Sequence, residues 1–248
     1  MIPRKAFLLA AGEGTRLKPL TDGTPKCLLP LGSRPLLEWW LRILEKIGVA
    51  EVLVNTHHLA DRVESFVRAR RGAVVVRTAY EPRLLGSAGT LAFQRGFVKE
   101  ERSFWIFYAD TVIAAELSPL ADLHEQRGAC LTAGLFKSPD PASGGVVEID
   151  AENRIVSFEE KPARPRSELV AAGAYVAGQD IFKVLPASFD PAAKPLDIGK
   201  DMLPKLLSCA RAMLLDGPVV DIGTPQNYAR ARREWDRIGL ERRLGGAA

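Results

Sequence analysis

The sequence predicts an α/β fold: a Rossmann-like, mostly parallel sheet flanked by helices, with a small β-rich elaboration. Three observations point there. Short apolar runs alternate with helical-period segments through the first 136 residues. The first apolar run opens into a glycine-containing loop. After residue 138 the alternation gives way to short strands and proline-rich loops. The length of 248 residues suits a single domain spanning 1–248, and with 47% apolar and 26% charged residues the chain can bury a full core. Mean hydropathy is -0.01, and no apolar stretch reaches the roughly 18 residues of a membrane span.

Each element has its own warrant. Residues 5–10 read as a buried first strand, since their apolar run ends in Gly-Glu-Gly-Thr-Arg and lacks the cleavage region of a secretion signal. Residues 35–47 carry Leu36, Trp40, Ile43 and Ile47 at helical spacing, with Pro35 suited to the start and Gly48 to the stop. Residues 52–54 and 74–76 are β-branched strand candidates, and Leu59, Val63 and Phe66 mark the helix between them. Residues 104–108 form a fourth strand ending in Ala109-Asp110, followed by a helix over 119–126 and a strand over 130–136. Residues 146–149 and 155–158 predict a hairpin, and the proline- and charge-rich loops 161–168 and 185–196 are suited to covering a cleft. Thr224-Pro225 caps a last helix with Tyr228, Ala231, Trp235 and Ile238 on its apolar stripe.

Charge and cysteines narrow the function classes. The net charge of +4 suits small phosphorylated ligands and is weak for a duplex-binding protein. Cys27, Cys130 and Cys209 are odd in number and far apart, with neither a close CxxC pair nor a disulfide pattern, so reduced thiols and a cytoplasmic location are expected. His57-His58 has no carboxylate or cysteine partner at ligand spacing and reads as a pair of ordinary loop histidines. The arginines at 230, 232, 233, 237, 242 and 243 alternate with acids, as on a solvated face that leaves a homo-oligomeric contact open. Neither nucleic acid nor membrane is an expected partner.

The segment Leu8-Leu9-Ala10-Ala11-Gly12-Glu13-Gly14-Thr15-Arg16-Leu17 carries the most chemistry. Small residues let backbone N–H groups approach a phosphate, and a guanidinium can fork onto its oxygens. A tight turn with a surface arginine reads equally well from these residues alone. The run is not a Walker loop, and Leu17 stands where a dinucleotide fingerprint needs its third glycine. Asp110 follows a buried apolar run and should sit at the carboxyl end of a strand, where ligands collect in open sheets. Asp221 also follows apolar residues and could reach the same edge. Taken alone, two aspartates that cap backbone account for these positions as well.

The chain continues as Lys18-Pro19-Leu20-Thr21, Pro25-Lys26-Cys27-Leu28-Leu29-Pro30-Leu31 and Arg34-Pro35-Leu36-Leu37-Glu38. This resembles the signature of sugar-1-phosphate nucleotidyltransferases, GxGTRLxPLT followed by PKxxLPxxxxPLLE. Further matching stretches appear in order: Gly86-Ser87-Ala88-Gly89-Thr90, Tyr108-Ala109-Asp110, Gly145-Val146-Val147-Glu148, Glu159-Glu160-Lys161-Pro162, Ala172-Gly173-Ala174-Tyr175 and Asp221-Ile222-Gly223-Thr224-Pro225. The resemblance covers residues 5 to about 232 and is nearest in character to the guanylyltransferases for mannose or heptose phosphates.

The resemblance implies attack of a sugar 1-phosphate on the α-phosphorus of a nucleoside triphosphate, GTP by first choice, releasing pyrophosphate. Two anions must meet, and two unit charges 4 Å apart repel by about 4 kcal/mol at an effective dielectric of 20. It assigns Arg16 to the β and γ phosphates, Lys26 to the α-phosphate and Lys161 to the sugar phosphate. Asp110 and Asp221 are assigned to a Mg²⁺ ion. It further implies substrate contacts at Ala10, Ala11, Gly12, Gly14, Thr15, Gly89, Gly145, Glu160 and Gly173. Residues 81–91 resemble the base-reading loop. Ala109 stands where the family often has glycine, and Gly144 replaces the usual tyrosine, which leaves the identity of the sugar open. Without hexapeptide repeats, no C-terminal β-helix domain is expected. Two alternatives are a nucleotidyl transfer to a non-sugar phosphate such as phosphocholine and a non-catalytic nucleotide-sugar-binding regulatory subunit.

Overall fold

A computed structural model describes residues 2–245. In chain order the strands are β1 (Lys5–Leu9), β2 (Pro30–Leu31), β3 (Arg34–Pro35), β4 (Glu51–Thr56), β5 (Val75–Tyr80), β6 (Ser103–Tyr108) and β7 (Thr111–Ile113). They continue as β8 (Leu131–Lys137), β9 (Gly145–Ile149), β10 (Ile155–Glu160), β11 (Leu169–Gly178), β12 (Ala210–Leu214) and β13 (Val219–Asp221). The α-helices are α1 (Leu36–Lys46), α2 (Ala60–Ala69), α3 (Ser87–Phe93), α4 (Ser118–Arg127), α5 (Pro225–Arg233), α6 (Trp235–Ile238) and α7 (Leu240–Arg243). The predicted class is the one found, α/β with a mostly parallel central sheet flanked by helices, and the antiparallel pairings within that sheet all involve β9 or β11. Among the described residues no helix is long and apolar enough to cross a membrane.

Contacts divide the described residues into two units, one comprising 2–5, 83–107 and 117–215, the other 6–82, 108–116 and 216–245. In the second unit β1, β4 and β5 lie in that order, with β4 parallel to β5 from Glu51↔Val75 to Thr56↔Tyr80. Ala6, Phe7, Leu8, Val52 and Val54 are buried, whereas Val75 and Tyr80 on the outer strand are exposed. Helix α1 starts one residue after Pro35 and buries Leu36, Leu37, Trp39, Trp40, Leu41, Ile43 and Leu44 on its core face. The last helix is interrupted at Glu234, so its predicted stripe is shared by two helices: Tyr228 and Ala231 are buried in α5, Trp235 and Ile238 in α6. Trp39 and Trp235 have ring centroids 5.3 Å apart, and the Tyr228 hydroxyl donates to the Pro30 carbonyl at 2.7 Å.

Arg70 joins α1 to the end of α2. Its side chain is only 6% exposed and donates to Glu38 Oε2 at 2.8 Å and to Glu45 Oε1 at 3.0 Å, while Glu45 also accepts from the Ala73 and Val74 N–H groups. Burial pushes the Glu45 carboxyl upward, but its bonds to Arg70, Val74 and Ala73 outweigh this and hold it below its ordinary 4.5. A depressed carboxylate contributes stability above its unfolded pKa and loses it as pH falls through the folded one. Arg70→Met should therefore cost on the order of 2 kcal/mol at neutral pH, since it strands partly buried carboxylates, and the deficit should shrink toward acid. Urea melts at several pH values measure it; a deficit that stays constant below pH about 4 would rule out this linkage.

In the first unit β6, β11, β9 and β10 follow in that order, β8 pairs with β11, and β12 lies parallel to β8. The predicted hairpin forms as β9–β10, with Glu160 opposite Gly145. Strand β11 was not legible as a strand, because LVAAGAYVAG is rich in alanine and glycine, which have low β propensity. It forms because most of it is buried between partners, β6 from Ala174↔Phe107 to Gly178↔Ser103 on one side and β8 on the other.

One expectation is overturned here. Cys130 and Cys209 form a disulfide, with Cα atoms 5.5 Å apart, rather than standing as reduced thiols. They precede β8 and β12, whose parallel register sets Ala210 against Leu131, and the Cys130 N–H donates to the Cys209 carbonyl at 3.1 Å. A separation of 79 residues conceals this neighbourhood in the sequence. Cys27 is free and buried, and burial pushes its thiol up to about 12.

Candidate active site

The second unit gathers four of the charged residues singled out by the sequence. After β1 the chain runs through Ala10-Ala11-Gly12-Glu13 into Gly14, in a left-handed conformation at φ 67°, and then a 3-10 turn over Thr15–Leu17. Glycine is needed at position 14 on two counts. Its φ disfavours a side chain, and a Cβ there would lie 2.8 Å from Thr21 Cγ2 and 3.3 Å from Lys26 Cβ. The loop is thereby packed directly against Lys26, at the start of a second 3-10 turn, Lys26–Leu28.

Lys26 has little choice of partner. Its side chain is 11% exposed and its Nζ donates to Asp110 Oδ2 at 2.6 Å. Asp110 lies in the short turn between β6 and β7, where the neighbouring Ala109 N–H donates to the Leu9 carbonyl at 3.0 Å and so ties this turn to the end of β1. The antiparallel β7–β13 pair sets Asp221 opposite Thr111, and the Ile222 N–H donates to the Asp110 carbonyl at 3.0 Å. The two aspartates, 111 positions apart in the chain, thus lie on adjacent segments at one strand end.

Asp221 Oδ1 accepts from the Gly223 N–H at 2.7 Å, and Asn227 Nδ2 approaches Oδ2 at 3.4 Å. A Cβ at Gly223 would come within 2.9 Å of Asp221 Oδ1 and 3.0 Å of an Arg16 guanidinium nitrogen, so Arg16 reaches the same place. Arg16, Lys26, Asp110 and Asp221 form one connected group. Among the described residues no cluster of three or more metal-ligating side chains exists. Two half-exposed carboxylates do fit Mg²⁺, which takes hard oxygen ligands and commonly fills its shell with water and phosphate oxygens around one or two carboxylates.

The expected substrate-contacting loop residues differ in availability. Gly12, Glu13 and Thr15 are exposed, and nothing would obstruct a Cβ at Gly12. The N–H groups of Ala10 and Ala11, by contrast, are taken by the side-chain carbonyl of Asn55, at 2.7 and 3.3 Å. Asn55 was not singled out by the sequence, and neither was Gly223 as more than part of a motif. A polar residue ending an apolar strand, Val-Leu-Val-Asn, was the available signal for Asn55.

The first unit holds the remaining candidates. Lys161 is exposed, with φ 51°, and its N–H donates to the Gly144 carbonyl at 2.9 Å; its Nζ lies 3.9 Å from Glu160 Oε1. Burial raises the Glu160 carboxyl above its ordinary value, and the Asp197 carboxylate adds to the rise while Lys161 and Lys200 oppose it. Gly145 backs onto Phe158 and Glu160, where a Cβ would meet the Phe158 ring at 2.7 Å. Gly173, at φ 70°, lies within β11 two residues before the buried Tyr175, whose hydroxyl is pushed upward by burial and then by Glu160 and Asp197. Gly89 sits in the buried helix α3 against Phe189. Asp197, which the sequence did not point to, accepts from the Ser87 hydroxyl at 3.0 Å and from the Gly199 and Lys200 N–H groups.

Residues 5–237 match the family model described as Nucleotidyl transferase. The chain belongs to that family. Its relatives include the UTP–glucose-1-phosphate uridylyltransferase of Synechocystis, 31% identical over 92% of this chain and 62% of that protein. Another is the mannose-1-phosphate guanylyltransferase of Mycobacterium tuberculosis, 28% identical over 91% of this chain and 62% of that protein. The chain thus spans about three-fifths of the length of these family members. Two solved structures share the fold. They are a UDP-glucose pyrophosphorylase complexed with UDP-glucose, with TM-score 0.81, 19% identity and coverage of 96% of this chain and 99% of that one, and a structure titled a putative glucose-1-phosphate thymidylyltransferase from Bacillus anthracis, with TM-score 0.79, 24% identity and coverage of 92% and 94%.

Proposed function

We propose that this chain transfers a nucleoside monophosphate from a nucleoside triphosphate to a sugar 1-phosphate, releasing pyrophosphate. The observation that carries the reading is the connected group of Arg16, Lys26, Asp110 and Asp221 in a member of the nucleotidyl transferase family. The loop residues Gly12, Gly14 and Thr15 would accept the triphosphate, with Ala10 and Ala11 forming the wall behind them. The Arg16 guanidinium would neutralise the β and γ phosphates of the leaving group. Lys26, held by Asp110, would stabilise charge developing on the α-phosphate without having to reorient. Mg²⁺ held by Asp110 and Asp221 would supply further charge compensation. Lys161 would bind the phosphate of the sugar, with Gly145, Glu160 and Gly173 around the hexose. No covalent intermediate on the protein is required, because positioning and electrostatics carry phosphoryl-type transfers.

GTP is the proposed donor. The preference rests on the resemblance of residues 81–91, with Gly86-Ser87-Ala88-Gly89, to the base-reading loop of guanylyl enzymes. A triphosphate and a sugar phosphate are both soluble metabolites of the cytoplasm, which is the proposed location. The deciding experiment incubates the protein with each of four nucleoside triphosphates and a panel of sugar phosphates and measures pyrophosphate. Release with GTP and a hexose 1-phosphate is expected. Release with phosphocholine alone would transfer the reading to a non-sugar acceptor, and tight binding of a nucleotide sugar without any release would mark a regulatory subunit.

Gly223 gives an independent check on the phosphate end. Gly223→Ala places a methyl group 2.9 Å from Asp221 Oδ1 and 3.0 Å from an Arg16 guanidinium nitrogen, so one of these side chains must shift. A fall of about tenfold in kcat/KM is expected, the cost of misplacing one charged group by a fraction of an ångström. A melting temperature close to wild type should accompany it; unchanged kinetics would separate the placement of Arg16 and Asp221 around Gly223 from catalysis.

A further inference from the structure

We infer that Asn55-Thr56-His57-His58, at the end of β4, is a clamp that holds the phosphate loop in its working shape, with Asn55 and His58 as its positioning residues. This rests on the reading of residues 10–21 as a triphosphate-binding loop, and it concerns residues to which no substrate contact has been assigned.

Asn55 is 5% exposed, and three bonds settle which way its amide faces. Oδ1 accepts from the N–H groups of Ala10 at 2.7 Å and Ala11 at 3.3 Å, and Nδ2 donates to Glu81 Oε1 at 2.9 Å. The amide offers an acceptor oxygen to the loop and, from a separate atom, a donor to the carboxylate. The far end of the loop is held in the same way. His58 Nε2 lies 2.9 Å from the Thr21 carbonyl, which can only accept, so that nitrogen carries the proton. Thr21 in turn donates its hydroxyl to the Gly14 carbonyl at 2.9 Å. His57 Nδ1 donates to the Glu81 carbonyl at 2.7 Å, which secures the strand end that holds Asn55's partner.

The two ends of residues 10–21 are therefore tied to Asn55 and His58, three residues apart at one strand terminus, while Gly12, Glu13 and Arg16 between them are exposed. Around Gly12 and Gly14 the loop has little rigidity of its own, since glycine leaves the backbone free. The clamp keeps the exposed donors and Arg16 presented before the nucleotide arrives, so that ordering them does not subtract from affinity.

The test compares wild type, Asn55→Leu, His58→Leu and His58→Gln by two measurements. Amide hydrogen exchange of peptides covering residues 10–21 should be at least about tenfold faster in Asn55→Leu and His58→Leu, with His58→Gln restored toward wild type because its amide still donates. In steady-state kinetics the KM for GTP should rise about tenfold in the two leucine variants while the KM for the sugar phosphate stays within about twofold. Unchanged exchange in this segment, or equal rises in both KM values, would overturn the clamp. Should Asn55→Leu fail to fold, the His58 pair decides alone. If wild type releases no pyrophosphate, the proposed activity fails while the exchange result still judges the clamp.

Discussion

Lys26→Ala should lower kcat by on the order of a hundredfold or more, the loss expected when one preorganised charge stabiliser is removed from a phosphate-transfer site. The size of the effect follows from the lysine's surroundings. Its side chain is only 11% exposed, its Nζ is held 2.6 Å from Asp110 Oδ2, and its Cβ lies behind the Gly14 turn, so the charge is fixed in place. Folding should survive, because the lost ion pair leaves Asp110 with 39% of its side chain exposed. Pyrophosphate release under saturating substrates measures the effect, and the KM for GTP should change far less than kcat. Turnover at the wild-type rate would remove Lys26 from the mechanism and leave it as a structural partner of Asp110.

Asp110→Ala should be as damaging, again on the order of a hundredfold in kcat, but by two routes that can be told apart. The carboxylate orients Lys26, and in the proposed reaction it also binds Mg²⁺ beside Asp221. Asp110→Asn keeps an oxygen for Lys26 but removes the charge that a hard divalent cation needs. If metal binding dominates, both variants should fail alike and should need a much higher Mg²⁺ concentration for half-maximal rate. If orientation of Lys26 dominates, Asp110→Asn should recover most of the activity at an unchanged Mg²⁺ requirement. Rates near wild type in both variants would exclude Asp110 from either role.

Much of this framework was legible before any coordinates. The helical spacing of Leu36, Trp40 and Ile43, the apolar run before Asp110 and the Thr-Pro start of the last helix are local signals, set by side-chain burial and capping. Other elements were hidden because their stabilisation is not local. Strand β11 is built from alanines and glycines that gain order only through its neighbours β6, β8 and β9. Helix α3 lies within a stretch of small residues that reads as a loop, yet Ala88, Gly89 and Thr90 are buried and the Ala88 and Gly89 N–H groups donate to the Leu196 carbonyl. Strand β5 was expected as a short β-branched run, and it extends to Tyr80 along the register of β4.

The residue order alone determined the family, the α/β class and the set of charged side chains available for binding phosphates, because each depends on types and spacings within short segments. The folded chain alone decided that Asp110 stands beside Lys26 and next to Asp221, that Asn55 occupies the N–H groups of Ala10 and Ala11, and that Cys130 is bonded to Cys209. These are meetings of residues 44 to 111 positions apart. Such distances are closed by strand pairing and core burial, which no local pattern of residues records.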